Sequence, residues 1–306
     1  YVISEPLNIP EGSHIKFING TLMPKANFTE NGYMFQNTGV ITGTTIKTCE
    51  LVNGCLIFDN VNLYCGHIAN GFKFIGGGSI YFINCHISRF TQYGIYGWGD
   101  GGIHGLSLQD VEIHQYDWEE VWSVEGERLK TPDAVGVYMG VYDSDITGCS
   151  IYLCGTGIQA ARSSLKITRS HPWGCDTLIS AEPEMGVDSV IAGLRIDGIY
   201  FDGGGCADRA VASLIIAGVC RDCAITNSWF TRPNDAPELD VFSSGFSFIH
   251  LGLSDTAGKY AGGRAERLMI SGNTFWSDNP NEKDNGFATH ADYKKSDSLG
   301  CIFDNN

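Results

Sequence analysis

The feature that most constrains this chain is an internal repeat. One eight-residue template, apolar, any, apolar, any, Asn/Asp/Gly, any, any, apolar, returns ten times, with copies beginning at Ile15, Tyr33, Leu56, Ile80, Leu106, Ser144, Leu165, Leu194, Cys223 and Leu268. Successive starts lie between 18 and 45 residues apart. The second apolar slot holds Phe17, Phe35, Phe58 and Phe82, then Leu108, Ile146, Ile167, Ile196, Ile225 and Ile270, so that like residues are expected to stack on like. The fifth slot holds Asn19, Asn37, Asn60, Asn84, Asp110, Gly148, Arg169, Gly198, Asn227 and Gly272. Asn and Gly tolerate a left-handed backbone, which makes this column a tight corner between two strands. Arg169 is its misfit. The last slot is apolar in every copy but one, where Pro172 stands.

A looser signal of glycine, apolar, any, apolar precedes several copies, as in Gly71-Phe72-Lys73-Phe74, Gly94-Ile95-Tyr96-Gly97, Gly136-Val137-Tyr138-Met139 and Gly157-Ile158-Gln159-Ala160. It supplies a third strand to each repeat. Three short strands per turn, alternating with period two and lacking helical periodicity, predict a parallel β-solenoid of about ten coils, an all-β fold. A β-sandwich could match the alternation by accident, but it predicts antiparallel hairpins and gives no reason to keep Asn or Gly in one slot. Residues 1–306 read as one β-helix domain. The missing initial Met and the end at Asn306 in mid-pattern lead us to expect a piece of a longer chain.

Composition narrows the function. With 20 basic and 35 acidic side chains the formal net charge is −15, which repels polyphosphate and argues against nucleic-acid binding through a basic face. No apolar run approaches the ~20 residues of a membrane span, and no membrane insertion is expected. The 11 cysteines are scattered through a chain too long to need staples, and most read as reduced core residues. Cys220 and Cys223 form a lone CxxC with Cys206 nearby, short of a zinc set, and Cys223 falls on an inward slot. The runs Gly76-Gly77-Gly78 and Gly203-Gly204-Gly205 lack the Lys or helix of a phosphate loop. Neither cofactor nor metal is expected.

The Asn corner and the internal Phe and Ile ladders, over roughly residues 12 to 280, resemble the right-handed single-stranded parallel β-helix of pectate lyases and bacteriophage tailspike depolymerases. The opening Tyr1-Val-Ile-Ser-Glu-Pro-Leu-Asn-Ile-Pro-Glu-Gly also resembles the start of tailspike β-helices. That resemblance implies a homotrimer of the virion tail that binds and cleaves a bacterial polysaccharide, capsule or exopolysaccharide, at the cell surface. Hydrolysis is the reaction expected first. A polysaccharide lyase and a non-catalytic receptor-recognition β-helix are the alternatives. Catalytic motifs of polygalacturonases and calcium carboxylates of pectate lyases are absent, which argues against pectin.

The resemblance also places a glycan trough over the first strand of each coil. Outward positions there are Lys73, Tyr96, Trp98, Tyr138 and Gln159, and the three aromatic groups would offer flat faces to sugar rings. The largest insert, 114–133, is expected to enter the same region with Tyr116-Asp117-Trp118-Glu119-Glu120-Val121-Trp122. Candidate acids around the patch are Glu120, Asp133, Asp143 and Asp100, with Glu182 and Asp208 farther along, two of which could act as a glycosidase pair if mutual repulsion raised the pKa of one. Trp118 is a further sugar contact. A second candidate region follows on the third strand, where His171 and Trp173, then Tyr200 and Asp202, then Trp229 face outward. There a base and Arg169 or Arg195 could serve a lyase.

Overall fold

The computed structural model describes residues 1–9, 13–17, 20–37, 41–42, 45–46, 56–75, 79–98, 105–122, 129–130, 132–162, 164–182, 190–202, 212–216, 219–232, 247–251, 264–277, 285–289, 298–299 and 301–304. Among them every strand pairing is parallel except one small hairpin, Ile41–Thr42 with Thr45–Ile46. The chain is a right-handed single-stranded parallel β-helix. Each coil contributes a strand to a first sheet of ten strands (such as Asn70–Ile75, Tyr93–Trp98 and Val135–Gly140) and one to a second sheet of ten (Ile80–Ile83, Leu106–Gln109, Ser144–Thr147). A third sheet (His86–Ser88, Glu112–His114, Ser150–Tyr152, His171–Trp173) has seven strands and is carried on by three more through a bridge between Trp173 and Asp202. The later coils add what the repeat did not announce, a four-stranded sheet made by Val190–Ala192, Val219–Arg221, Arg264–Glu266 and Ser298–Leu299, set between the first and second strands.

The corner column behaves as its residue types require. Asn60, Asn84, Asp110, Gly148, Arg169, Gly198, Asn227 and Gly272 all have φ between 48° and 67°, the left-handed region. Arg169 adopts it too, held by its neighbours despite its Cβ. Asn19 lies outside the described residues. Asn37 is a correction: it ends a first-sheet strand, Tyr33–Asn37, and is not a corner. The template saw only period-two alternation, which the first and second sheets share.

The same slip affects the phenylalanine ladder. Phe58 and Phe82 are neighbours on the second sheet, stacked at 4.8 Å, but the residue paired below Phe58 is Ile15, and Phe17 is only partly buried at the edge of the core. Phe35 belongs to the first sheet, where it stacks on Phe72 at 4.9 Å and meets Phe58 edge-on at 5.8 Å. Two aromatic columns therefore face each other across the first coils. Farther on the second-sheet column continues as Leu108, Ile146, Ile167, Ile196, Ile225 and Ile270, all buried. Seven of the eight described cysteines are buried, and Cys223 is in the core as expected.

The glycine that opens several first-sheet strands also has a cause. A Cβ on Gly94 would lie 2.7 Å from the Gly136 carbonyl oxygen and 2.8 Å from the Ile113 side chain, and one on Gly136 would meet the Gly157 oxygen at 2.7 Å. The chain turns from the third sheet into the first too closely against the next coil to admit a side chain. Phe58, at 0% exposure and touching Phe35, Phe72, Phe74 and Phe82, is the centre of the aromatic core. Phe58→Ala is expected to cost about 3–5 kcal/mol in chemical denaturation, as a buried large-to-small change.

Candidate functional site

The outward faces of the coils carry two aromatic groups. On the first sheet one column runs Gln36, Lys73, Tyr96, Tyr138, Gln159, Ser180. The structure brings Tyr96 and Tyr138 into a parallel stack at 4.8 Å, with Tyr93 edge-on to both and Tyr33 6.3 Å from Tyr96. The Lys73 ammonium sits 5.3 Å above Tyr33. Trp98 lies on the same sheet opposite Gly140. These rings turn their faces mostly on one another: Tyr138 is only 8% exposed, and burial drives the Tyr33 phenol well above its ordinary pKa.

The third sheet is more open. Its two outward columns read Asn62, His86, Glu112, Ser150, His171 and Tyr64, Ser88, His114, Tyr152, Trp173. Trp173 is bridged to Asp202, and on the added strands Tyr200 pairs with Trp229 and Thr231 with Trp276. Coil spacing matches ring stacking, so His114, Tyr152 and Trp173 stack successively at 4.7 and 4.3 Å. His171 stacks on Tyr200 at 4.8 Å, and Tyr200 lies 5.5 Å from Trp229. Trp118, Trp229 and Trp276 are each about half exposed.

The helical part of the 114–133 insert sits over this third sheet, which corrects the expected position beside the first-sheet patch. A one-turn helix, Trp118–Val121, starts at an Asp117 capping box closed by Glu120, and Trp118 lies 6.2 Å from Trp173. Arg89, at the end of its third-sheet strand, pairs with Asp117 and lies 3.4 Å from Glu120. Glu120 is also 3.6 Å from Lys130 and 3.8 Å from His67. Burial pulls the Glu120 carboxyl upward, but the Asp117 amide, Arg89, His67 and Lys130 outweigh it and hold the group below its ordinary pKa. Repulsion between unpaired acids, which was to have raised one pKa, does not operate here because cations surround Glu120.

The other expected acids are dispersed. Asp133 accepts a 2.8 Å hydrogen bond from Gln115, whose own oxygen accepts from the Asp133 and Ala134 amides, anchoring the return of the insert. Asp143 is an exposed left-handed corner (φ 52°) leading into the second sheet. Glu182 follows a first-sheet strand and accepts a hydrogen bond from Ser180. Asp100 and Asp208 lie outside the described residues, as do Glu184 and Cys206. Arg195 lies on the second sheet, and Arg169 is the corner that leads into the His171 strand.

Sequence reasoning ranked the His171 region second and passed over Glu112, His86 and His114. Reading the outward slots of every third strand, His86-Ile-Ser and Glu112-Ile-His114, would have found them. On this sheet the His171 Nε2 faces Asp202 Oδ2 at 3.6 Å, and the Thr231 hydroxyl donates to Asp202 Oδ1 at 2.9 Å. His171 and Thr231 hold the Asp202 carboxyl below its ordinary pKa against the opposing effect of burial.

No protein-family model matches the sequence, and no curated protein matches it. Solved structures share its fold. The Dettilon tailspike protein gp208 superposes with a TM-score of 0.56 at 12% identity, covering 99% of this chain and 60% of that protein. An endo-xylogalacturonan hydrolase from Aspergillus tubingensis gives 0.46 at 9% identity, covering 97% of this chain and 93% of its own, and DFA-IIIase from Arthrobacter chlorophenolicus A6 gives 0.49 at 9%, with 93% and 71% covered. The likeness to the tailspike protein is one of fold, and this chain spans 60% of that protein's length.

A carboxyl depressed in the folded state adds stability above its unfolded pKa, ~3.9 for Asp, and loses it as pH falls through the folded value. Wild type is therefore expected to melt above Asp202→Asn near neutral pH, and the gap to close below about pH 4. Thermal melts of both proteins across pH 3–7 check this.

Proposed function

We propose that this chain is the glycan-processing β-helix of a phage tailspike, which binds a bacterial capsule or exopolysaccharide along its third sheet and depolymerises it by glycoside hydrolysis. The observation that carries the reading is the third-sheet stripe, where half-exposed indoles of Trp118, Trp229 and Trp276 accompany Asp202, His171 and Glu112 over successive coils. Sugar rings have an apolar face rimmed by hydroxyls, so indole surface and carboxylates side by side match both parts. A solenoid also supplies what a polymer needs, a binding surface long in one direction. The tailspike likeness is an analogy of fold and supports the reading only as such.

Asp202 is the carboxylate for the reacting ring. It stays ionised, the state required to activate water or to stabilise an oxocarbenium-like transition state, with His171 Nε2 3.6 Å away. Incubation with a panel of capsules and exopolysaccharides is expected to release reducing ends without the absorbance of an unsaturated uronate. Asp202→Asn should lower turnover about 10²–10⁴-fold with binding retained. Trp229→Ala should weaken binding about tenfold, near 1.4 kcal/mol. Unsaturated products would reassign the reaction to elimination, and binding without products would leave a receptor-recognition module. Loss of turnover in Asp133→Asn or Glu182→Gln while Asp202→Asn stays active would move the chemistry towards Tyr96, Trp98, Tyr138 and Gln159, with Asp100 and Asp208 next to test, whereas loss in Glu120→Gln would place it under the insert and loss in Asp143→Asn at the corner before the second sheet.

In the virion tail this β-helix would work as a homotrimer at the bacterial surface. Support comes from large apolar side chains left exposed on the second sheet, Tyr81 at 39%, Met269 at 38% and Ile302 at 56%. No helix among the described residues is long and apolar enough to cross a membrane. Light scattering of the full-length protein at micromolar concentration is expected to give three times the chain mass.

A further inference from the structure

We propose that His86, Glu112 and His114 form a binding site for a divalent transition-metal ion, zinc first, on the outer face of the third sheet. Each offers one ligand atom, and the three atoms lie within 4.8 Å of one another. They come from two adjacent strands: His86 pairs with Glu112, and His114 stands two residues beyond Glu112 on the same face.

The tautomers point to a cation. His114 Nδ1 lies 3.0 Å from the backbone carbonyl oxygen of Tyr116, which can only accept, so Nδ1 carries the proton and Nε2 presents a lone pair. His86 Nδ1 lies 3.3 Å from Asn62 Oδ1, and in the tautomer that donates to this oxygen the His86 Nε2 presents a lone pair as well. The two Nε2 atoms are 2.9 Å apart. Two lone pairs at that distance repel unless a positive centre lies between them. Two metal–nitrogen bonds of ~2.0–2.1 Å meeting near a right angle span about this separation.

The surroundings are those of a held ligand set. Asp117 Oδ1 lies 3.4 Å from His114 Nδ1, and together with the Tyr116 carbonyl it fixes the ring that would bind the ion. Tyr152 stacks on His114 at 4.7 Å and donates its hydroxyl to Glu112 Oε1, orienting that carboxylate. Two imidazoles and one carboxylate are the donor set of open-sided zinc and iron(II) sites and suit neither calcium nor magnesium, which take oxygen. Positions left open on the ion would take water or an oxygen of a bound sugar. Because the ligands are split between two coils, they come together only when the outward slots of successive third strands are set side by side.

The inference does not depend on the glycan reading, and its test needs no glycan. The chain, stripped with a chelator, is titrated with Zn²⁺ by calorimetry and with Co²⁺ by visible absorbance. One ion per chain is expected, together with cobalt bands characteristic of nitrogen and oxygen ligands. His86→Gln and Glu112→Gln should each weaken binding at least tenfold with an unchanged circular dichroism spectrum. Glu112 is exposed, so its variant keeps the test decisive if His86→Gln folds poorly. Absence of stoichiometric binding at micromolar metal, or equal binding by Glu112→Gln and wild type, overturns the site and leaves a proton shared between the two imidazoles.

Discussion

Parallel backbone ladders join each coil to the next at ~4.8 Å, and the rest of the molecule depends on that spacing. A residue at one strand position meets the same position of the neighbouring coil, so side chains form columns whether they point in or out. Inside, the columns must be apolar and must pack flat on themselves. Phe58 on Phe82, Phe35 on Phe72 and the run of isoleucines beyond are the outcome. Closure of each coil needs a sharp bend, and the left-handed corner supplies it at one residue per turn.

Outside, the same spacing makes chemistry. Aromatic and imidazole rings one coil apart are at stacking distance, which lines up His114, Tyr152 and Trp173 without a loop to arrange them. Two histidines one coil apart and two positions out of register bring their Nε2 atoms within 2.9 Å. The insert adds a second layer over the columns: its one-turn helix delivers Asp117 and Glu120 to Arg89 and lays Trp118 near Trp173. In a chain of net charge −15, cations are scarce, and two of them, Arg89 and Lys130, lie within 4 Å of Glu120.

Much of the coil was legible because its rules are local. Corner residues, inward alternation and the glycine before the first strand each answer to a steric need that one residue type meets, as Gly94 against the Gly136 carbonyl illustrates. Phe35 and Asn37 were misplaced because alternation does not say to which sheet a strand belongs, and Phe17 because it does not fix register, which sets Ile15 opposite Phe58. The fourth sheet of the later coils was missed for a similar reason: three-residue strands such as Val190–Ala192 carry too little pattern to be told from a turn.

The site was legible only in its residue types. The sequence named Tyr96, Tyr138, Trp173, His171 and the acids of the insert, and it determined by itself that coils would stack, where they would bend and which side chains would be buried. Tertiary structure decided the rest: that Tyr138 is spent on packing while Trp118 and Trp229 stay open, that Glu120 is surrounded by cations, and that His86 meets His114. Burial follows from period two along one strand, whereas these meetings depend on the register between strands 21 to 45 residues apart and on how an insert folds back, which only the assembled coils fix.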